Sequence, residues 1–225
     1  MRKYSAFDII GPAMIGPSSS HTAGAARLGK VARLVAGDKI KSVSFLLHGS
    51  FAKTYRGHGT DKALVAGMLG MDPWDERLRD SLQIAEEKGL EVRFLESDLG
   101  DMHPNSVKFI ISKEDGTITQ VVGSSIGGGN ISITEIDGEA LEFTGAYPTL
   151  IIKHVDEPGM VAKVTALMSN KGINIAFMKV YRSSKGETAT MIFETDHMVT
   201  EAVVNEISKV AHINSIRVIS PIAEA

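Results

Sequence analysis

Residues 16–22 read Gly16-Pro17-Ser18-Ser19-Ser20-His21-Thr22 and run directly into the stretch AGAARLGKVARLVAG. A turn, four hydroxyls and an imidazole ahead of a helical segment suit an anion. The first N–H groups of a helix have no intrahelical partner, the helix dipole favours negative charge there, and hydroxyls add donors toward a carboxylate or phosphate. The plainer reading is an N-cap with surplus serines, since one serine suffices for capping. A second block, HGSFAKTYRGHGTDKA at 48–63, sets His58 between Gly57 and Gly59, just before a helix start at Thr60 and Asp61. The glycines let a backbone or ligand approach closely. An imidazole that titrates near neutrality either carries a proton or simply hydrogen-bonds, and His58 alone does not decide between these. His103-Pro104-Asn105 and Ser124-Ser125-Ile126-Gly127-Gly128-Gly129 are two further runs of this kind.

Several chemistries are disfavoured. The glycines at 127–129 are followed by ISITEID, a strand pattern, whereas a dinucleotide fingerprint needs a helix opening there; no Walker A sequence occurs either. The histidines at 21, 48, 58 and 103 lack the paired spacing of a zinc site. The chain has no cysteine, which excludes disulfides, a thiol nucleophile and any thiolate ligand from this chain to zinc or an iron-sulfur cluster. A net charge of -3 offers no basic field, so nucleic acid is not an expected partner. No run of eighteen apolar residues occurs, and MRKYSAFDII lacks a signal-like apolar stretch before Gly11 and Pro12; a cytoplasmic protein with no membrane partner is expected.

The elements that must position these residues follow from periodicity. A helix is predicted over 20–36, ahead of the strand SVSFLLHG, with further helices over 61–69 and 75–88. The strands EVRFLE, SVKFIIS and TITQVVGSS complete an α+β first domain over 1–143. After a linker at 144–149, residues 150–225 read as strand, helix, strand, strand, helix, strand. TLIIKHV opens this segment, and Asp156-Glu157-Pro158-Gly159 introduces a helix with Met160, Val161, Val164, Leu167 and Met168 at helical spacing. INIAFMKVYRS and ETATMIFET flank Ser184-Lys185-Gly186 as a hairpin, a helix follows over 200–210, and INSIRVIS closes a ferredoxin-like βαββαβ pattern.

DEPGMVAKVTALMSNKGINI resembles the start of the ACT family of amino-acid-sensing domains, and the match extends over 150–222. IGPSSSHTAGAARLG and GHGTDKA, followed in order by HPN and SIGGG, resemble the β domain of iron-sulfur-dependent bacterial L-serine dehydratases of the two-subunit form. That resemblance implies an L-serine ammonia-lyase converting L-serine to pyruvate and ammonia, with a [4Fe-4S] cluster held by a cysteine-bearing α subunit. It further implies that Ser18, Ser19, Ser20, Thr22 and Asn105 bind L-serine, while His21 and His58 lie near the reacting centre. The ACT resemblance implies homo-association through the second domain, with Gly159 and Asn174 at an effector site. The first domain is also similar to the allosteric substrate-binding domain of some D-3-phosphoglycerate dehydrogenases. The alternative reading is therefore a non-catalytic module that binds an anion or amino acid, or a free-standing amino-acid sensor.

Overall fold

The computed structural model describes residues 13–222. The N-terminal segment read above for a signal lies outside the described residues. Contacts divide the chain after Gly138, ahead of the Phe143 boundary expected from sequence, and residues 139–221 form the second unit.

In the first unit a wide turn of π-helix, Ser19–Gly24, runs straight into α1, Ala25–Ala36. Leu28, Val31, Ala32 and Val35 recur at helical spacing and are buried, which is why this stretch forms a helix with one face inward. Gly37, at φ 80, ends it. β1, Ile40–Leu47, buries Val43, Phe45 and Leu47 in alternation. It pairs in parallel with β2, Glu91–Glu96, and antiparallel with β3, Ser106–Lys113. β4, Ile118–Gly127, and β5, Asn130–Ile136, extend the sheet, giving the order β2-β1-β3-β4-β5 within this unit.

A parallel pair needs a crossover connection. Here it consists of α2, Gly49–Thr54; α3, Thr60–Met68; a 3₁₀ turn, Glu76–Asp80; and α4, Ser81–Glu87. The single helix expected over 75–88 is thus a 3₁₀ turn followed by an α-helix. The carboxylate of Asp75 accepts from the N–H of Arg77 and starts that turn. α2 was not read from sequence, because six residues carry too little periodicity to register.

α1 and α3 cross at two glycines. A Cβ on Gly67 would lie 2.1 Å from the Ala26 carbonyl oxygen, and one on Gly29 would lie 2.3 Å from the Leu64 carbonyl oxygen, so the two backbones touch directly. α1 rests on the sheet through Leu28, whose Cδ2 would be 2.7 Å from a Cβ on Gly123 of β4. Phe45 stacks on Phe94 at 4.8 Å and meets Phe109 edge-on at 5.5 Å.

The second unit begins with β6, Glu139–Phe143, and continues as β7, Thr149–Val155; α5, Met160–Asn170; β8, Ile175–Arg182; β9, Thr188–Thr195; α6, Glu201–Ser208; and β10, Ile213–Ile219. Its four-stranded sheet has the order β10-β7-β9-β8 and is antiparallel throughout, which is the expected ferredoxin-like arrangement. Leu150, Ile152, Met191 and Phe193 on the sheet pack against Met160, Val164 and Met168 of α5 and Val203 and Ile207 of α6. Burying each such side chain contributes about 1.5–3 kcal/mol. β8 is an edge strand, and Phe177, Met178 and Val180 on it are exposed.

Candidate functional site

The four polar motifs come from distant parts of the chain, and strand direction brings them to one end of the first sheet. β1 runs out at His48, beside the start of β3, because the two strands are antiparallel with Leu47 opposite Val107. Ser106, at the start of β3, lies opposite Ser124 near the end of β4, and their hydroxyls hydrogen-bond at 2.7 Å. The N–H of Ser125 donates to the Asn105 carbonyl at 2.9 Å. The π-helical turn is set on β4 at Gly24, where a Cβ would meet the Ser125 hydroxyl oxygen at 2.0 Å. Gly127, Gly128 and Gly129 all have positive φ and form the tight turn from β4 into β5. The guanidinium of Arg27 donates to the Gly129 carbonyl at 2.9 Å, tying that turn to α1.

Two imidazoles meet at this end. His21 and His58 are in edge-to-face contact with ring centroids 4.8 Å apart, and Phe51 flanks His21 at 5.3 Å. His21 is buried and has a hydroxyl at each ring nitrogen: Ser18 Oγ is 3.4 Å from Nδ1 and Ser50 Oγ is 3.2 Å from Nε2. Burial lowers the pKa of His21 below the ordinary histidine value, and the neighbouring His58 lowers it further, so the ring is neutral at pH 7. His58 is exposed. Of its two flanking glycines only Gly59 has a left-handed backbone, φ 70, and from there α3 begins.

Ser18 caps the π-helical turn by accepting from the N–H of His21. Ser19 and Ser20, next in the turn, are half-buried. Thr22 is 1% exposed, and its Oγ1 has no hydrogen-bond partner among the described residues; it sits under Gly16, where a Cβ would come within 2.3 Å of that oxygen. The buried hydroxyls of Thr60 and Ser125 are likewise without partners among the described residues. Unpaired buried hydroxyls are costly and ask for a ligand or water. Burial also raises the carboxyl pKa of Asp61, in the first turn of α3.

Sequence reasoning named His21, His58, Ser18, Ser19, Ser20, Thr22 and Asn105, and all of them stand at this end of the sheet. It gave no site role to Ser50, Thr60 or Ser125, although each lies inside a motif already quoted. Their distinguishing signal is three-dimensional: a hydroxyl delivered to a ring nitrogen, or one left unpaired in the interior. The two other histidines of these motifs, His48 and His103, are occupied locally. The Nδ1 of His48 accepts from the N–H of Leu99, and the Nδ1 of His103 accepts from the N–H of Asn105. Gly159 and Asn174 belong to the second unit. Gly159, at φ 90, precedes α5, and the amide of Asn174 donates to the Asp196 carboxylate at 2.7 Å.

The chain has no cysteine, and among the described residues no group of three or more histidine or acidic side chains could hold a metal ion. The residues present therefore do not fit an iron-sulfur cluster held by this chain. No helix among the described residues is long and apolar enough to cross a membrane.

Residues 5–87 match the family described as Serine dehydratase beta chain, and residues 148–212 match the ACT domain. The chain is 44% identical over 213 residues to the "Probable L-serine dehydratase, beta chain" of Bacillus subtilis, covering 95% of this chain and 96% of that one. It is 42% identical to the "L-serine dehydratase, beta chain" of Peptoniphilus asaccharolyticus, covering 90% and 91%. A D-3-phosphoglycerate dehydrogenase of Methanocaldococcus jannaschii is 31% identical over 59% of this chain, a stretch that makes up only 25% of that enzyme.

Proposed function

Because the chain belongs to the serine dehydratase beta chain family, we propose that it is the serine-orienting subunit of an L-serine ammonia-lyase whose [4Fe-4S] cluster is held by a separate, cysteine-bearing α subunit. The observation that carries this reading is the paired imidazoles of His21 and His58 beside a helix start that holds the half-buried Ser19 and Ser20 and the buried Thr22, whose hydroxyl has no partner among the described residues. The chemistry left to this chain is binding, orientation and proton handling. The positive end of the π-helical turn and its hydroxyls receive the substrate carboxylate. That places the serine Cα and hydroxyl toward the imidazole pair.

The overall reaction removes the Cα proton and the hydroxyl as water, giving aminoacrylate. This tautomerises to the imine, which takes up water to give pyruvate and ammonia. A neutral, buried imidazole accepts a proton more readily than a charged one, and an exposed partner can exchange that proton with solvent. Proton handling is accordingly assigned to His21 and His58 as a pair.

Mixing the full chain anaerobically with its reconstituted α subunit and measuring pyruvate from L-serine tests the reading. The full chain alone is expected to fold and stay inactive, and the mixture to turn over. His58→Ala should lower turnover while this chain stays folded. Steady turnover by the isolated chain would overturn the division of labour. A mixture that stays inactive, with the cluster confirmed by spectroscopy, would favour the second reading, a non-catalytic module that binds an anion or amino acid. The matches to D-3-phosphoglycerate dehydrogenases support that alternative.

A further inference from the structure

We infer that Ser50 is a positioning residue for His21: its hydroxyl accepts from Nε2, holding the ring in the tautomer with the proton on Nε2 and the lone pair on Nδ1. Its consequence for turnover rests on the reading above; the geometry does not.

The hydroxyl of Ser50 is delivered by a backbone fixed from several sides. The N–H of Ser50 donates to the Pro104 carbonyl at 2.8 Å, and the Ser50 carbonyl accepts from the Thr54 hydroxyl at 2.7 Å. Gly49, at φ 55, lies so close to Pro104 that a Cβ there would be 2.7 Å from the Pro104 carbonyl oxygen. The glycine before Ser50 is thus required twice over, by its left-handed backbone and by this approach. With the chain fixed in this way, Ser50 Oγ stands 3.2 Å from His21 Nε2.

A hydroxyl can both donate and accept, so the proton count leaves two arrangements, and the geometry points to the one in which Ser50 accepts. A neutral imidazole has one N–H and one lone pair, and the partner of one nitrogen sets the state of the other. Ser18 Oγ already accepts from the N–H of His21 at 3.3 Å, so its own hydroxyl proton is free to point at Nδ1, 3.4 Å away. In that arrangement Nδ1 is the acceptor, the ring proton sits on Nε2, and Ser50 accepts it. The shorter of the two contacts is the one to Ser50. Both ring nitrogens are thus engaged by named hydroxyls, and the proton of the Ser50 hydroxyl is left free to point away from the ring.

The test reads the tautomer directly on the full chain, labelled with ¹⁵N-histidine, from the long-range ¹H–¹⁵N pattern of the His21 ring. The wild-type chain is expected to show the Nε2–H form. Ser50→Ala removes the acceptor, and the ring should move to the Nδ1–H form, donating to Ser18. Ser50→Thr keeps a hydroxyl and should restore the wild-type pattern; Ser18→Ala should leave Nε2–H in place. An unchanged Nε2–H pattern in folded Ser50→Ala, or a Ser50→Thr chain that is folded but behaves as Ser50→Ala, overturns the inference. With the α subunit present, kcat of Ser50→Ala should fall by about 100-fold with a smaller change in KM, the lower end of what a placed acid or base contributes. A tautomer change with unchanged kcat would support the positioning of His21 and overturn its role in turnover.

Discussion

Replacing Gly67 by alanine isolates the helix crossing on which the site depends. The added Cβ would lie 2.1 Å from the Ala26 carbonyl oxygen, 2.6 Å from the Lys30 nitrogen and 2.8 Å from the Gly29 Cα, all of them backbone atoms of α1. Ordinary contact begins at 3.4 Å, so the worst approach is short by 1.3 Å (3.4 − 2.1), and no side-chain rotation relieves it. α1 and α3 must part, which loosens the packing of Leu28, Leu64 and Met68, all fully or almost fully buried. Overpacking of a tight core costs about 1–3 kcal/mol and sits at the upper end here because the obstacle is backbone. Alanine is the better helix former by about 1 kcal/mol, which offsets part of that. The net loss is about 1–2 kcal/mol, or a fall in Tm of roughly 2–8 °C for a chain of this size. Differential scanning calorimetry of Gly67→Ala against Gly57→Ala is the assay. Gly57 is the control because a Cβ there meets only the Thr54 carbonyl oxygen, at 3.8 Å. An unchanged or raised Tm for Gly67→Ala would refute the direct backbone contact.

The lowered pKa of His21 fixes a sign for pH dependence. The folded chain binds fewer protons than the unfolded one just below the ordinary histidine value of about 6.5, so stability rises with pH across that window and is lost as pH falls through it. Urea melts of wild type and His21→Gln at several pH values should show the slope reduced in the variant, and an equal slope would remove the buried neutral ring. At the edge strand, Phe177→Glu with Val180→Lys should weaken self-association of the full chain in sedimentation, because the proposed pairing through the second unit would use the exposed apolar residues of β8. Unchanged assembly would exclude that edge.

Much of the scaffold was legible because burial is periodic in it. Leu28, Val31, Ala32 and Val35 announce α1, and Val43, Phe45 and Leu47 announce β1, since one face of each must leave water. The βαββαβ order of the second unit followed from the same rule together with its turn residues. α2 was not legible, because its short span owes its conformation to tertiary contacts: the N–H groups of Ser50 and Phe51 both donate to the Pro104 carbonyl. The start of β8 at Ile175, later than the run INIAFMKVYRS suggests, has a similar origin. Ile173 packs against the core, and the Asn174 amide is drawn to Asp196 before the strand begins. Within the candidate site, residue types pointed to loops that the strands bring to one end of the sheet. Which hydroxyl would meet which nitrogen depends on elements whose sequence separation hides their nearness, as for Ser50 and His21, 29 residues apart.

The kind of donors in this site also bears on what it would select. Residues 16–22 include no lysine or arginine, so this loop's share of the proposed carboxylate contact is made by N–H dipoles and hydroxyls alone. A fixed cation would hold a simple carboxylate more tightly, but it would repel the ammonium of a zwitterion lying a few ångströms away. At 4 Å, two unit charges interact by about 4 kcal/mol in a partly shielded protein site. Neutral donors avoid that repulsion while keeping the pull of the helix start on the carboxylate. They also leave His21 without a nearby lysine or arginine side chain in its own loop; burial is the larger cause of its lowered pKa and His58 the next. The same choice of residues thus suits the proposed zwitterionic substrate over a plain anion, while the lowered pKa of His21 is left to burial and His58 rather than to a cation in its loop.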